Sequence, residues 1–465
     1  MTITRAGALP DDTYDVAVVG AGVVGCAIAR ELARYRLRVA LVEAADDVGT
    51  GTSKANTAIL HTGFDATPGT LEARLVREGQ PLLARYAAEV GIPVDPIGAL
   101  VVAWDDEQVA ALDGVRRRAE DNGYRDTRMV PLDELRRREP NLGPTALGAL
   151  DVPGEGIVCK WTTTLAFATQ AVENGADLHL GAQVVGVHAV DPHRLVTTRG
   201  PLSARYLINA AGLYSDVVDD LVGRTGLTIT PRRGQLIVFD KFARPLINHI
   251  LLPVPSAHTK GVLVAPTVYG NVLLGPTAED LDDKTDTASS RTGLNYLRDK
   301  GKVILPRLLD EEVTAVYAGL RAHPGRGDYR IEVDAARRYA LVGGIRSTGL
   351  TSAMAVARHV VGELADAGLD PGRFRPLREL HMPNIGEVCA RPYQQDDLIA
   401  ADPEYGTIVC HCERVTRGEI RDALGSPIPP VRVDGLRRRT RALAGRCQGF
   451  YCGATVRALL DGSKP

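Results

Sequence analysis

The chain has 465 residues, 45% hydrophobic and 24% charged, with 55 Lys plus Arg against 57 Asp plus Glu. That length accommodates two or three domains of ~150 residues, and the composition is that of an ordinary globular protein. The even charge balance supplies no global field toward nucleic acid or an anionic membrane, and no apolar run approaches the roughly 18 residues of a membrane span. Partners must therefore be argued locally. MTITRAGALPDDTYD has no apolar signal region before the first strand, and the seven cysteines do not form a disulfide framework: three are scattered and four are bunched near the end. Both features point to a reducing, cytoplasmic setting, with peripheral membrane contact and oligomer formation left open.

The first predicted element is a strand, Val16–Val19. Gly20, Gly22 and Gly25 follow as G-x-G-x-x-G where Val23 opens a helical pattern, and Arg38–Val42 reads as a second buried strand. Glycine is required at such a turn because the backbone must bend sharply and come close to a pyrophosphate, while the helix N-terminus presents N–H groups and a partial positive charge. Glu43, eighteen positions beyond Gly25, is placed to accept both hydroxyl protons of an adenosine ribose. FAD and NAD both suit this βαβ unit.

Val48 to Gly69, rich in small residues and containing Thr52, Ser53, Asn56 and His61, reads as a loop lying against the cofactor. Helical periodicity then runs over 70–90 until Pro93 and Pro96. A strand at 98–104, a polar helix at 107–122 and a short helix at 132–138 follow. The nucleotide pattern resumes with a helix at 165–172 and strands at 177–180, 183–190 and 204–209, ending in Ala210, Ala211 and Gly212, a second close backbone approach. Residues 228–277 alternate like an antiparallel sheet, the substrate side. A helix at 294–305, two strands at 315–323 and 329–334, and a final strand, glycine turn and helix within 341–364 complete the body, with the last helix N-terminus placed for the ring end of a flavin. The fold class expected is α/β plus α+β. An FAD-binding Rossmann-like domain is made of 1–88, 150–223 and 335–368, an antiparallel-sheet substrate domain of 89–149 and 224–334, a linker arm of 369–404, and a small helical module of 405–465.

Within that module, Cys410 and Cys412 form C-x-C, and Cys447 and Cys452 form C-x4-C after thirty-four intervening residues. Two close pairs brought together by a fold make a four-thiolate site. A 2Fe-2S cluster is favoured over zinc because a redox metal beside a flavin offers a one-electron exit from a two-electron carrier. Arg432, Arg437, Arg438, Arg439, Arg441 and Arg446 lie between the pairs and would offset the negative charge of such a cluster; a solvated helical face is the alternative.

TSKANTAILHTGFD, LINAAGLYSD, RRGQLIVFD, KGVLVAPTVYGNVLLGPTAED, AGLR and GGIRSTGLTSA resemble the FAD-dependent glycerol-3-phosphate oxidase and dehydrogenase group of the D-amino-acid-oxidase-like flavoproteins. VCHCERVTRGEIRDAL and LRRRTRALAGRCQGFYC resemble the bacterioferritin-associated-ferredoxin-like 2Fe-2S domain. The resemblance implies FAD held by Gly20, Gly22, Gly25, Glu43, Thr52, Ser53, Asn56, Val184, Gly212, Gly349, Leu350 and Thr351. It also implies His61 as the base for the substrate hydroxyl, Lys260 and Arg321 as holders of an anionic head, Arg346 near the ring, and the four C-terminal cysteines as cluster ligands. A neutral imidazole suits proton abstraction near pH 7, and two cations suit phosphate or carboxylate.

The implied activity is oxidation of sn-glycerol 3-phosphate to dihydroxyacetone phosphate, with electrons leaving through the cluster to a quinone or protein acceptor. Cys159–Lys160 before Trp161, and Ala322–His323 after Arg321, depart from the group's pattern near the substrate mouth. L-2-hydroxyglutarate oxidation, amino-acid or opine oxidation, and a non-catalytic electron-transfer subunit are the competing readings.

Overall fold

The structure, a computed structural model, describes residues 2–10, 12–255, 261–325 and 327–462. Strand β1 (Thr13–Val19) ends in a run of buried apolar residues, helix α1 (Val23–Leu32) crosses over, and β2 (Val39–Val42) returns parallel to β1, with Val16 opposite Val39 and Val19 opposite Val42. Apolar runs without alternation are what parallel strands need when helices cover both faces. Ile3–Thr4, Asp177–His179, β2, β1, β3 (Gly200–Asn209) and Tyr339–Gly343 lie side by side, each parallel to its neighbour. Helix α2 (Leu71–Val90), which contains Pro81, packs on α4 (Gly349–Asp366), and α1 packs on both α4 and α3 (Lys160–Glu173).

Several elements differ from the sequence expectation, among them one helix start and one strand beside the first sheet's core. Helix α3 begins five residues before Leu165, because the β-branched run Thr162–Thr164 is accommodated by burial. Cys159 caps the helix, and the Thr163 and Thr164 hydroxyls donate to the carbonyls of Cys159 (2.8 Å) and Lys160 (3.2 Å). Packing against α1, including Arg30 Nε donating to Gln170 Oε1 at 2.6 Å, overrides the weak intrinsic propensity. The strand His193–Thr197 was not anticipated either. It joins Val184–Val190 to β3, which starts at Gly200, in an antiparallel meander.

The second sheet is antiparallel apart from one parallel pair, Ile250–Pro253 with Ala99–Ala103. Its edge nearest the first domain is formed by β4 (Thr230–Phe239) and β5 (Val313–His323), paired so that Arg232 faces Arg321 and Gly234 faces Gly319. Residues 369–404 cross the body without long elements, Arg375 N bonding to Arg34 O, Met382 N to Val90 O and Glu387 N to Val268 O. The C-terminal module has the hairpin Ile408–Cys410/Val415–Thr416 and three short helices, Arg417–Leu424, α5 (Val433–Thr440) and Gly453–Gly462. Val415, Ile420, Leu436, Ala442 and Val456 form its own small core. Among the described residues no helix is long and apolar enough to cross a membrane.

Candidate active site

A cleft opens where the start of α1, the 52–57 loop, the end of β3, strands β4 and β5 and the start of α4 converge. Nine of the residues expected at the site line it: Gly22, Thr52, Ser53, Asn56, Gly212, Arg321, Arg346, Gly349 and Leu350. Gly20 and Gly25 stand behind this wall. Gly20 has φ +102°, and a Cβ on it would lie 2.5 Å from the Ala210 carbonyl oxygen, while a Cβ on Gly25 would collide with the carbonyl oxygen of Gly20. The first amides of α1 have no carbonyl within their own helix; that of Val23 donates to Ser53 Oγ at 2.9 Å, which ties the small-residue loop to the glycine turn.

Glu43 accepts from the amides of Ala21 (2.6 Å) and Ala45 (2.8 Å), and burial pushes its pKa up. It therefore braces the turn with two of its acceptor positions and keeps others unused by these amides. Val184 is not among the residues lining the cleft and packs in the apolar cluster that includes Val19 and Val42. Tight glycine packing, a helix N-terminus and a cleft at the ends of parallel strands together fit a flavin dinucleotide.

His61 does not line the cleft, but it is tied to the helix that does. Its amide donates to Thr351 Oγ1 at 3.0 Å, and Thr351 follows Leu350 in α4. Its Nδ1 lies 3.1 Å from Glu155 Oε2, and the other Glu155 oxygen accepts from Thr62 N (2.6 Å) and Thr62 Oγ1 (2.9 Å). Glu155 is fully buried at 0% exposure, while the His61 side chain keeps 17%. A buried carboxylate on Nδ1–H fixes the tautomer that leaves Nε2 as acceptor. Sequence reasoning missed Glu155. It sits in a turn between Gly148–Val152 and Gly156–Val158, ninety-four residues from His61, and only the GEG glycines around it hinted at a constrained site.

Arg321 Nη2 donates to Thr277 O at 2.5 Å, and Gly234 leaves room for its guanidinium, a Cβ there lying 2.9 Å from Nη2. Burial, reinforced by Arg232, lowers its pKa to about 10, so it is charged across the neutral range. Arg346 lines the cleft too, but its guanidinium is bound to the buried Glu72 and to Gly327 O (2.9 Å). Lys260 lies outside the described residues.

Behind the 52–57 loop, Lys160 Nζ donates to Asn56 O (2.5 Å) and Tyr317 Oη (3.1 Å), and burial, with Arg441 adding to it, pulls its pKa down to about 7. Trp161 stacks on Tyr269 with centroids 4.9 Å apart, and Arg441 of the C-terminal module lies 4.5 Å over the Tyr269 ring. Arg441 also donates to Glu413 Oε2 (3.1 Å) and Asn271 Oδ1 (2.9 Å). Three of the arginines expected either to offset cluster charge or to form a solvated face have buried carboxylate partners instead of solvent. Arg438, Arg439 and Arg441 are committed to the buried carboxylates Asp47 and Glu413, because a carboxylate out of water needs a fixed positive partner.

The four cysteines do converge: Cys412 feels the charges of Cys447 and Cys410, and Cys452 those of Cys410 and Cys447. Among the described residues they do not stand as a ready-made metal-coordinating set. Their surroundings differ: the backbone amides of Tyr451, Gly449 and Phe450 beside Cys447 hold its pKa down, as a thiolate ligand needs, while burial pushes the Cys452 and Cys412 thiols up.

The parallel sheet, glycine turn and cleft define a dinucleotide-dependent oxidoreductase. Residues 15–362 match the family model described as DAO, FAD dependent oxidoreductase, and residues 408–462 match the BFD-like [2Fe-2S] binding domain. The chain belongs to the FAD-dependent oxidoreductase family and ends in a 2Fe-2S domain. It is similar to the glycerol 3-phosphate dehydrogenase of Caloramator mitchellensis, 37% identical over 453 residues, 96% of this chain and 94% of the relative. The dithionite-reduced L-alpha-glycerophosphate oxidase of Mycoplasma pneumoniae with FAD bound superposes with a TM-score of 0.74 at 29% identity, over 80% of this chain and 100% of that one. The L-2-hydroxyglutarate dehydrogenase of Indibacter alkaliphilus is 32% identical over 272 residues, 57% of this chain and 68% of the relative. The expected fold class and both cofactors are borne out.

Proposed function

We propose that the chain is a dehydrogenase that oxidises the secondary alcohol of sn-glycerol 3-phosphate to dihydroxyacetone phosphate and passes the electrons to a quinone or protein acceptor. When bound, the flavin supplies a hydride acceptor and the cluster a one-electron exit. Gly20, Gly22, Gly25, Glu43, Ser53 and the start of α4 would hold the dinucleotide, and Cys410, Cys412, Cys447 and Cys452 the iron pair. His61 takes the hydroxyl proton at Nε2, its Nδ1–H remaining on the Glu155 carboxylate, which steadies the imidazolium as it forms. Arg321 binds the phosphate, its guanidinium offering two parallel donors to an anionic oxygen pair.

The observation that carries this reading is the His61–Glu155 pair, anchored through Thr351 to the helix whose first residues wall the cleft, with the part-buried Arg321 lining the cleft from β5. Electron exit through the cluster is supported by the C-terminal domain match and by its seat against the flavin-binding loop. Anaerobic mixing with sn-glycerol 3-phosphate, L-2-hydroxyglutarate and an amino-acid panel tests the substrate. Rapid flavin bleaching by glycerol 3-phosphate alone is expected, and bleaching by L-2-hydroxyglutarate alone would replace it as substrate.

A further inference from the structure

The two family matches stop at residue 362 and resume at 408, so neither describes how the two parts meet. They meet on the segments that form the dinucleotide cradle. Asp47 is buried at 4% exposure. One of its oxygens accepts from Arg438 Nη2 (2.7 Å) and Arg439 Nη1 (2.7 Å), and the other from Arg439 Nη2 (2.8 Å) and Val48 N (2.9 Å). Gly435 of α5 lies so close that a Cβ would stand 2.8 Å from the Asp47 carboxylate. Around this centre Arg432 pairs with Asp46, Lys54 Nζ lies 3.4 Å from Asp434, and Arg5 Nη2 donates to Pro429 O at 2.6 Å.

Helix α5 therefore grips both ends of one short stretch. Glu43 lies four residues before Asp47, while Thr52, Ser53 and Lys54 form a single helical turn that includes the Ser53 hydroxyl holding Val23 N. Arg438 and Arg439 share a small cavity with Gly49, Ser53 and Trp161, so the module's basic helix backs onto the same loop from the side opposite the cleft.

We infer that the iron–sulfur module is a clasp on the FAD site: α5, through Asp47 and Lys54, holds the 43–54 segment in its cofactor-binding shape, and FAD retention depends on the module being folded and seated. Opening that segment requires breaking a buried carboxylate away from two guanidiniums, so the seated module makes local opening rarer and FAD loss slower. Because a thiolate-held cluster stabilises the domain that binds it, the chain loses its flavin more readily whenever the cluster is missing. The inference is independent of which alcohol is oxidised.

The test uses the full-length chain carrying both cofactors, diluted into FAD-free buffer, with release read as the rise in flavin fluorescence. Asp47→Asn is expected to release FAD at least tenfold faster while the visible absorbance of the cluster persists, and Arg439→Lys to fall between it and the wild type. A wild-type thermal ramp recording flavin fluorescence and cluster absorbance together needs no variant: FAD should emerge with or after loss of the cluster signal. Emergence of FAD from wild-type protein whose cluster signal is intact, or release from Asp47→Asn at the wild-type rate, overturns the inference. If Asp47→Asn does not fold, the ramp decides alone.

Discussion

Glu155→Gln probes the proposed chemistry with the smallest change in shape. The fully buried Glu155 accepts three hydrogen bonds, two from Thr62 and one from His61 Nδ1. The amide oxygen of glutamine can keep both Thr62 donors, which leaves its NH2 group facing the imidazole. A donor there selects the tautomer with the proton on Nε2, the atom that has to accept the substrate proton. The same carboxylate-to-amide swap in a serine-protease triad costs about 10⁴ in kcat by this route. His61 keeps some exposure here, so the expected loss is roughly 10²–10⁴ in the rate of anaerobic flavin reduction by glycerol 3-phosphate, or about 3–5 kcal/mol of barrier. FAD content should be unchanged. Groups acting as one unit are not additive, so His61→Gln combined with Glu155→Gln should be hardly slower than His61→Gln alone. Wild-type flavin reduction in Glu155→Gln, or fully multiplicative losses in the double variant, would refute a shared role for the pair.

Arg321→Met removes the cation on the cleft wall. A lost charge-assisted contact of about 1.5–3 kcal/mol should raise KM for glycerol 3-phosphate by roughly 10–100-fold, read in steady-state assays, while Arg321→Lys recovers part of it. Lys160 makes stability depend on pH: its folded pKa of about 7 lies below the ordinary 10.5, so between these values the unfolded chain binds a proton that the folded chain has shed. Stability should then rise with pH over that window, by up to about 1.4 kcal/mol per unit from this group, and fall as pH drops toward 7. In Lys160→Met the difference in melting temperature between pH 7 and pH 9 should shift accordingly, and an unchanged difference would contradict the assignment. Gly25→Ala places a methyl group against the Gly20 carbonyl; the purified protein should lack flavin absorbance, and normal FAD occupancy would show that the turn can relax.

Much of this was legible because the informative features are local. The glycine turn, the apolar runs of β1 and β2 and the paired cysteines each occupy a few consecutive residues, where spacing speaks directly to geometry. Glu155 was not legible because its meaning depends on a partner ninety-four positions away. The arginines of the C-terminal module could not be given partners for a related reason. Their cluster of charge was visible, but the carboxylates that claim them, Asp47 and Glu413, belong to the cofactor segment and to the loop beside Cys412. The early start of α3 reflects tertiary burial defeating a threonine run that by itself argues against helix.

The Trp161–Tyr269 stack under Arg441 gives the molecule an intrinsic optical probe. The chain has two tryptophans; Trp104 packs at the edge of the second sheet's core, whereas Trp161 touches the seam with the C-terminal module. In a Trp104→Phe background, ultraviolet emission should come from the seam alone. Detachment of the tail would then register as a change in the colour and intensity of a single indole, without labels.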